Sequence, residues 1–107
     1  MSTRLPGSRY ARIFDQGRPQ KGRFLVAWRY VANDADQMAG VVVSKRTFHD
    51  AVDRNRAKRL MREAYRLLVA AGKMPPQTEW VFVARVPIMR AKCADVMKDM
   101  LKVCGRS

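Results

Sequence analysis

The 107-residue sequence predicts an α/β domain, a small mixed sheet packed by helices, in the order helix, two strands, long helix, strand, helix. There is room for one further short strand. Three observations predict it. Segments 23–30 (RFLVAWRY), 38–45 (MAGVVVSK) and 79–86 (EWVFVARV) are aromatic and β-branched runs of strand length. Residues 51–71 carry apolar side chains at helical spacing for about five turns. The long helix sits between the second and third strands, and a strand–helix–strand unit normally places its strands side by side and parallel.

The elements follow in order. Residues 1–8 contain Pro6 and Gly7, which discourage regular structure, so this stretch is expected to be flexible. Tyr10, Ile13 and Phe14 have helical spacing, and Gly17 supplies a stop for a short helix over 9–16. In the first strand Phe24 and Trp28 should share a face. Asn33, Asp34 and Asp36 mark a turn. The valine run at 41–43 predicts a strand buried on both faces. Asp50 or Asp53 can cap the long helix and Gly72 can close it. Residues 73–78 (KMPPQT) read as a loop. Pro87 ends the third strand, and a last helix is expected over 88–103. Met89, Cys93, Val96, Met97, Met100 and Cys104 would line one face of it as core filling.

Composition narrows the function. Hydrophobic residues make up 48% of the chain, enough for one modest core, so the whole chain is expected to form one domain. No apolar run reaches membrane-spanning length, and the first residues lack the apolar block of a secretory signal. A cytoplasmic protein with no membrane partner is expected. Cys93 and Cys104 match no zinc or redox spacing and read as ordinary thiols, Cys104 the more exposed. The net charge of +13, from 22 basic and 9 acidic residues, makes the domain repel itself unless it meets a polyanion, nucleic acid first.

The charge is concentrated at residues 54–66, RNRAKRLMREAYR, where six residues are Arg or Lys and only Glu63 is acidic. On a helical wheel at ~100° per residue, Ala57, Leu60, Met61, Ala64, Leu67 and Leu68 share an arc of roughly 120° that should face the core. Arg54, Asn55, Lys58, Arg59, Arg62 and Arg66 share an opposing arc of about 140°, with Arg56 at its border. A solvated helix face usually mixes signs. Here Arg54/Lys58, Lys58/Arg62 and Arg62/Arg66 are all like-charged neighbours, so a bound polyanion is the better reading. Arginine suits phosphate because its planar fork donates two hydrogen bonds at once.

Tyr10, Phe14, Phe24 and Trp28, interleaved with Arg9, Arg12, Arg23 and Arg29, are candidates to stack single-stranded bases, against core packing as the simpler reading. Core packing is expected for Phe24. Lys45, Arg46 and Arg85 could extend the basic surface. Catalytic candidates are thin. The single histidine, His49, lacks an identifiable partner, the acids are scattered, and no phosphate loop or nucleophile motif is present. Any chemistry is expected to belong to a partner or a bound metal ion. These residues alone leave open a protein that serves a partner's reaction, a structural RNA-binding protein of the ribosome or its assembly, and a DNA-binding module.

Residues 52–66, VDRNRAKRLMREAYR, resemble the signature of the bacterial ribonuclease P protein component, with Arg54-Asn55, Lys58-Arg59 and Arg62-Glu63 at the family's spacings. The segments YARIFDQG (10–17), GVVVSKR (40–46) and WVFVARVP (80–87) resemble the family's other blocks and stand in the family's order. The resemblance implies a subunit of the ribonucleoprotein endonuclease that matures the 5′ end of precursor tRNA. It implies that a catalytic RNA holds the Mg2+ ions and that the protein carries no catalytic residue. It also implies a left-handed β-α-β crossover, where general chain physics favours the right-handed form. By position, Arg54, Asn55, Arg56, Lys58, Arg59, Arg62 and Arg66 would meet the catalytic RNA. Tyr10, Phe14, Trp28, Lys45 and Arg46 would meet the 5′ leader. The chain departs from the family pattern in three places. Thr47, Phe48, His49 and Asp50 stand where many relatives have a Gly shortly after the basic pair. Tyr10 replaces a frequent Phe, and Val86 replaces a frequent second basic residue.

Overall fold

The computed structural model describes residues 7–35 and 37–104. A 3-10 turn at Gly7–Arg9 leads into α1 (Tyr10–Gln16). Then come β1 (Arg18–Lys21), β2 (Leu25–Val31), β3 (Met38–Val42), α2 (Ala51–Ala70), β4 (Thr78–Ala84) and α3 (Cys93–Cys104). The four strands form one sheet in the order β1-β2-β4-β3. β2 runs antiparallel to β1 and β4, whereas β3 and β4 are parallel, as the intervening helix predicts. The further short strand is β1, an edge position that tolerates Pro19. Of residues 1–8, expected to be flexible, Gly7 and Ser8 belong to the 3-10 turn and 1–6 lie outside the described residues.

Period-two alternation divides the sheet into two faces. On one face Leu25, Ala27, Val41, Trp80 and Phe82 pack against Met61, Tyr65 and Leu68 of α2 and Val96 and Met100 of α3. Trp80 stacks on Phe82, with ring centroids 5.9 Å apart. On the other face Ile13 of α1 packs on Val81, joined by Tyr10, Trp28, Tyr30, Met38, Val42 and Val83. Central β4 is therefore covered on both sides.

Several boundaries differ from the sequence reading, each for a local reason. β2 begins at Leu25 because the chain bends at residues 23–24. There the Asp99 carboxylate accepts the N–H groups of Arg23 and Phe24, both at 2.9 Å. Phe24 therefore packs with the α2/α3 core, as expected of it, but on the opposite side of the sheet from Trp28. Asp99 is 7% exposed. Asp99→Ala leaves two part-buried N–H groups without their acceptor and is expected to cost about 2 kcal/mol, measurable by urea unfolding. β3 ends at Val42, since Ser44 starts a turn in which its carbonyl accepts Phe48 N–H and its hydroxyl accepts Arg46 N–H.

The last helix starts at Cys93, not residue 88. Val86–Arg90 forms a 3-10 turn, and the Arg56 guanidinium takes the carbonyls of Met89 and Ala91, both at 2.9 Å. Asp95 then reaches back to the N–H of Lys92, half of a capping box. At the start of α2, Asp50 has extended N-cap geometry, and its carbonyl, not its side chain, accepts Arg54 N–H. Gly72, at φ 69°, closes α2 in a Schellman motif: Lys73 N–H donates to Leu68 and Gly72 N–H to Val69.

The cysteines reverse their expected exposure. Cys104 is buried among the helices, while Cys93 is only half-buried. Burial pushes the Cys104 thiol well above its ordinary range, which suppresses the reactive thiolate. A thiol reagent at neutral pH should modify Cys93 in the native protein and Cys104 only after unfolding, readable by mass spectrometry of modified peptides.

Candidate nucleic-acid interface

Helix α2 buries Ala57, Met61, Ala64, Tyr65 and Leu68, while Leu60 and Leu67 are half-buried. Tyr65 lies on the wheel between Arg54 and Lys58, so its burial turns the packed stripe toward the basic arc. This follows from what α2 packs against, α3 along one flank and the edge strand β3 along the other. Beside β3 the arrangement leaves a groove of about 450 Å³ lined by Ala39, Val41, Tyr65, Lys58, Arg59 and Arg62, with Asn55, Glu63 and Arg66 along it.

The predicted RNA-binding residues now separate by what they touch. Arg54 donates to the carbonyls of Phe48 and His49, at 2.8 and 2.9 Å, and pins the loop entering α2. Arg56 holds the turn before α3. Arg66 pairs with Glu63 across one helical turn and holds that carboxylate below its usual range. Asn55, Lys58, Arg59 and Arg62 have no hydrogen-bond or ion-pair partner among the described residues. Asn55, Arg59 and Arg62 are exposed and Lys58 is half-buried. Within α2, the charge that no described residue balances is therefore centred on Lys58, Arg59 and Arg62.

The second predicted cluster forms on the opposite face of the sheet. Helix α1 sits across this face, with Ile13 down against Val81. At ~100° per residue, Tyr10 and Phe14 fall on one flank of the helix and Arg9 and Arg12 on the other. Tyr10 lies over Gly40, where a Cβ would stand 2.2 Å from its hydroxyl, so only glycine admits the ring at this spot. Phe14, 39% exposed, meets Trp28 edge-on at 5.2 Å. Next to this aromatic flank, strand register aligns Lys21, Val26, Val83 and Val42 in one row. The three valines are half-buried, Lys21 is exposed, and exposed Lys45 and Arg46 follow β3 at the other end of the row. The result is an apolar shelf with an aromatic wall and a basic residue at each end. Of the five residues expected at a leader site, Tyr10, Phe14 and Trp28 gather on this face, and Lys45 and Arg46 are exposed in the turn that follows β3.

Two features were missed by sequence reasoning. Glu79 is fully buried on β4, where Arg9 donates to it at 2.5 Å and Arg12 to both its oxygens at 3.0 and 3.1 Å. The signal was available, since an acid opening an apolar strand demands a buried cation. Arg12 also bridges to Asp34 and lies 4.4 Å over the ring of Tyr30. Its hydrogen bonds to Glu79 and then to Asp34 raise its own pKa, and it holds Asp34 below the usual carboxylate range. Arg85 donates to the carbonyl of Gly22 at 2.6 Å, which ties down the bend before β2 and takes its charge away from the basic surface.

Comparisons with known proteins cover nearly the whole chain. The family model described as Ribonuclease P matches residues 5–107. The chain is 35% identical over 98 residues to the ribonuclease P protein component of Pelotomaculum thermopropionicum, covering 92% of this chain and 85% of that one. It is 32% identical over 101 residues to that of Clostridioides difficile, covering 94% and 86%. In fold it resembles the RNase P protein of Thermotoga maritima, with TM-score 0.81, 24% identity and coverage of 97% and 96%. It also resembles that of Staphylococcus aureus, with TM-score 0.75, 22% identity and coverage of 96% and 93%. With the ordered sequence blocks and the mixed sheet packed by helices in agreement, the chain belongs to the ribonuclease P protein family.

Proposed function

We propose that the two surfaces divide the work of a ribonuclease P protein component, α2 binding the catalytic RNA and the sheet face binding the 5′ leader of precursor tRNA. The single observation that carries this reading is the cluster of unbalanced cations at Lys58, Arg59 and Arg62 beside a groove in a chain of this family. A guanidinium that holds no internal acceptor is available to phosphate oxygens, and each such contact releases counterions from the RNA. Asn55 adds an amide donor and acceptor within the same groove. Arg54 and Arg56 serve this surface indirectly, Arg54 by pinning the loop that enters α2 and Arg56 by tying α2 to the turn before α3.

The shelf suits a single strand. Bases stack on aromatic faces whatever their sequence, and flanking cations follow the backbone. Phe14 and Trp28 supply such faces, and Lys21, Lys45 and Arg46 supply the charge. In this reading the hydrolysis is performed by the RNA subunit with its Mg2+ ions, in the cytoplasm. Four carboxylates are already engaged within the chain, Glu79 and Asp34 by arginines, Glu63 by Arg66 and Asp99 by backbone N–H groups. The protein's part is to bind and orient.

The test is reconstitution. Purified protein, labelled precursor tRNA and a bacterial ribonuclease P RNA are combined at low magnesium, alongside each component alone. Cleavage at the mature 5′ end only in the complete mixture is the expected result. An RNA active by itself at high magnesium but not stimulated by the protein would overturn the proposal.

A further inference from the structure

We propose that Glu79 is a positioning residue for the leader shelf, a buried clamp that sets the tilt of α1 and thereby places Phe14 against Trp28. The inference rests on the reading of that shelf as the leader site.

Helix α1 has seven residues and buries only Ile13 completely. A helix so short has little stability of its own, and one buried side chain does not fix its angle over a sheet. The opposite flank does. Glu79 is 0% exposed on the central strand, and carboxylates are almost never found there without a partner. Arg12 grips both its oxygens and Arg9 one of them, so two points of α1 and its leading turn converge on a single immobile group. Arg12 is held further by Asp34 and by the ring of Tyr30.

The geometry links this clamp to the shelf. Arg9 and Arg12 occupy one flank of α1, Tyr10 and Phe14 the other, and Ile13 is the pivot between them. A rotation that releases the arginines from Glu79 must move Phe14 relative to Trp28. An ordinary ion pair would add only general stability. A clamp across a pivot predicts a selective loss, confined to whatever the far flank binds.

The experiment uses the protein assembled with the catalytic RNA. Glu79→Gln keeps the side-chain shape and removes the charge that draws both arginines. The preference for precursor over mature tRNA should fall about tenfold, with mature tRNA binding retained. Amide exchange should accelerate over α1 and stay unchanged over α2. Unchanged preference overturns the proposal, as does equal loss for both RNAs with faster exchange throughout. If Glu79→Gln does not fold, Arg12→Lys, which keeps the charge and loses the fork, is read by the same two measurements and the same criteria. Phe14→Ala is measured in parallel. If Phe14→Ala weakens the preference and Glu79→Gln does not, the clamp fails alone. If Phe14→Ala changes nothing, the shelf reading fails and takes the proposed role of Glu79 with it.

Discussion

Replacing Arg59 and Arg62 together with alanine is expected to lower affinity for the catalytic RNA about tenfold per lost contact. The same change should reduce the slope of log affinity against log salt by about 0.7–0.9 for each contact. The expectation follows from their surroundings. Both side chains are exposed, line one groove and have no acceptor among the described residues. Removing them costs the fold little. Arg54→Ala and Arg56→Ala form the contrast, because their guanidinium groups are bound to the chain's own carbonyls. Each should lower stability by about 1 kcal/mol and leave the salt slope nearly unchanged. Binding isotherms at four or five salt concentrations, paired with thermal unfolding, separate the two classes. Identical slopes for all four variants would mean that the free arginines of α2 do not touch RNA.

Phe14→Ala should weaken binding to precursor tRNA by roughly 5- to 150-fold, the ~1–3 kcal/mol associated with one base stacked on an aromatic ring. Mature tRNA, which has no leader, should bind as before. Phe14 is the informative position because it is more than one-third exposed and contributes little to the interior. Trp28 is half-buried in the small core under α1, so Trp28→Ala mixes lost stacking with lost packing. Trp28→Phe retains an aromatic face and should retain most of the leader affinity. Equal losses for both RNAs with Phe14→Ala would show that its ring supports the fold and not the leader.

The sequence by itself determined the element order and, in outline, the basic face of α2. Hydrophobic period reports which face of an element is buried, and it placed β2, β3, α2 and β4 within a few residues. Charge is also legible, because six cations in thirteen residues cannot be balanced locally. The local bends were less legible. Phe24 was expected to share a face with Trp28, but alternation holds only inside a continuous strand, and the chain bends at residues 23–24. The late start of α3 depends on Arg56, which lies more than thirty residues away in the chain.

Only the tertiary structure decided which cations are available. Arg54, Arg59 and Arg62 share one arc of the helical wheel, with Arg56 at its border. They differ because two of them reach carbonyls brought near by the packing of loops and α3, while the other two line the groove beside β3. Tertiary contact also decided that Tyr65 is core, that Cys104 is buried and that Arg9 and Arg12 serve a hidden carboxylate instead of solvent. The reason is common to all of these. A side chain's type and spacing state what it can bind, and both are written locally. Which partner lies within reach is set by distant segments that meet only when the sheet assembles.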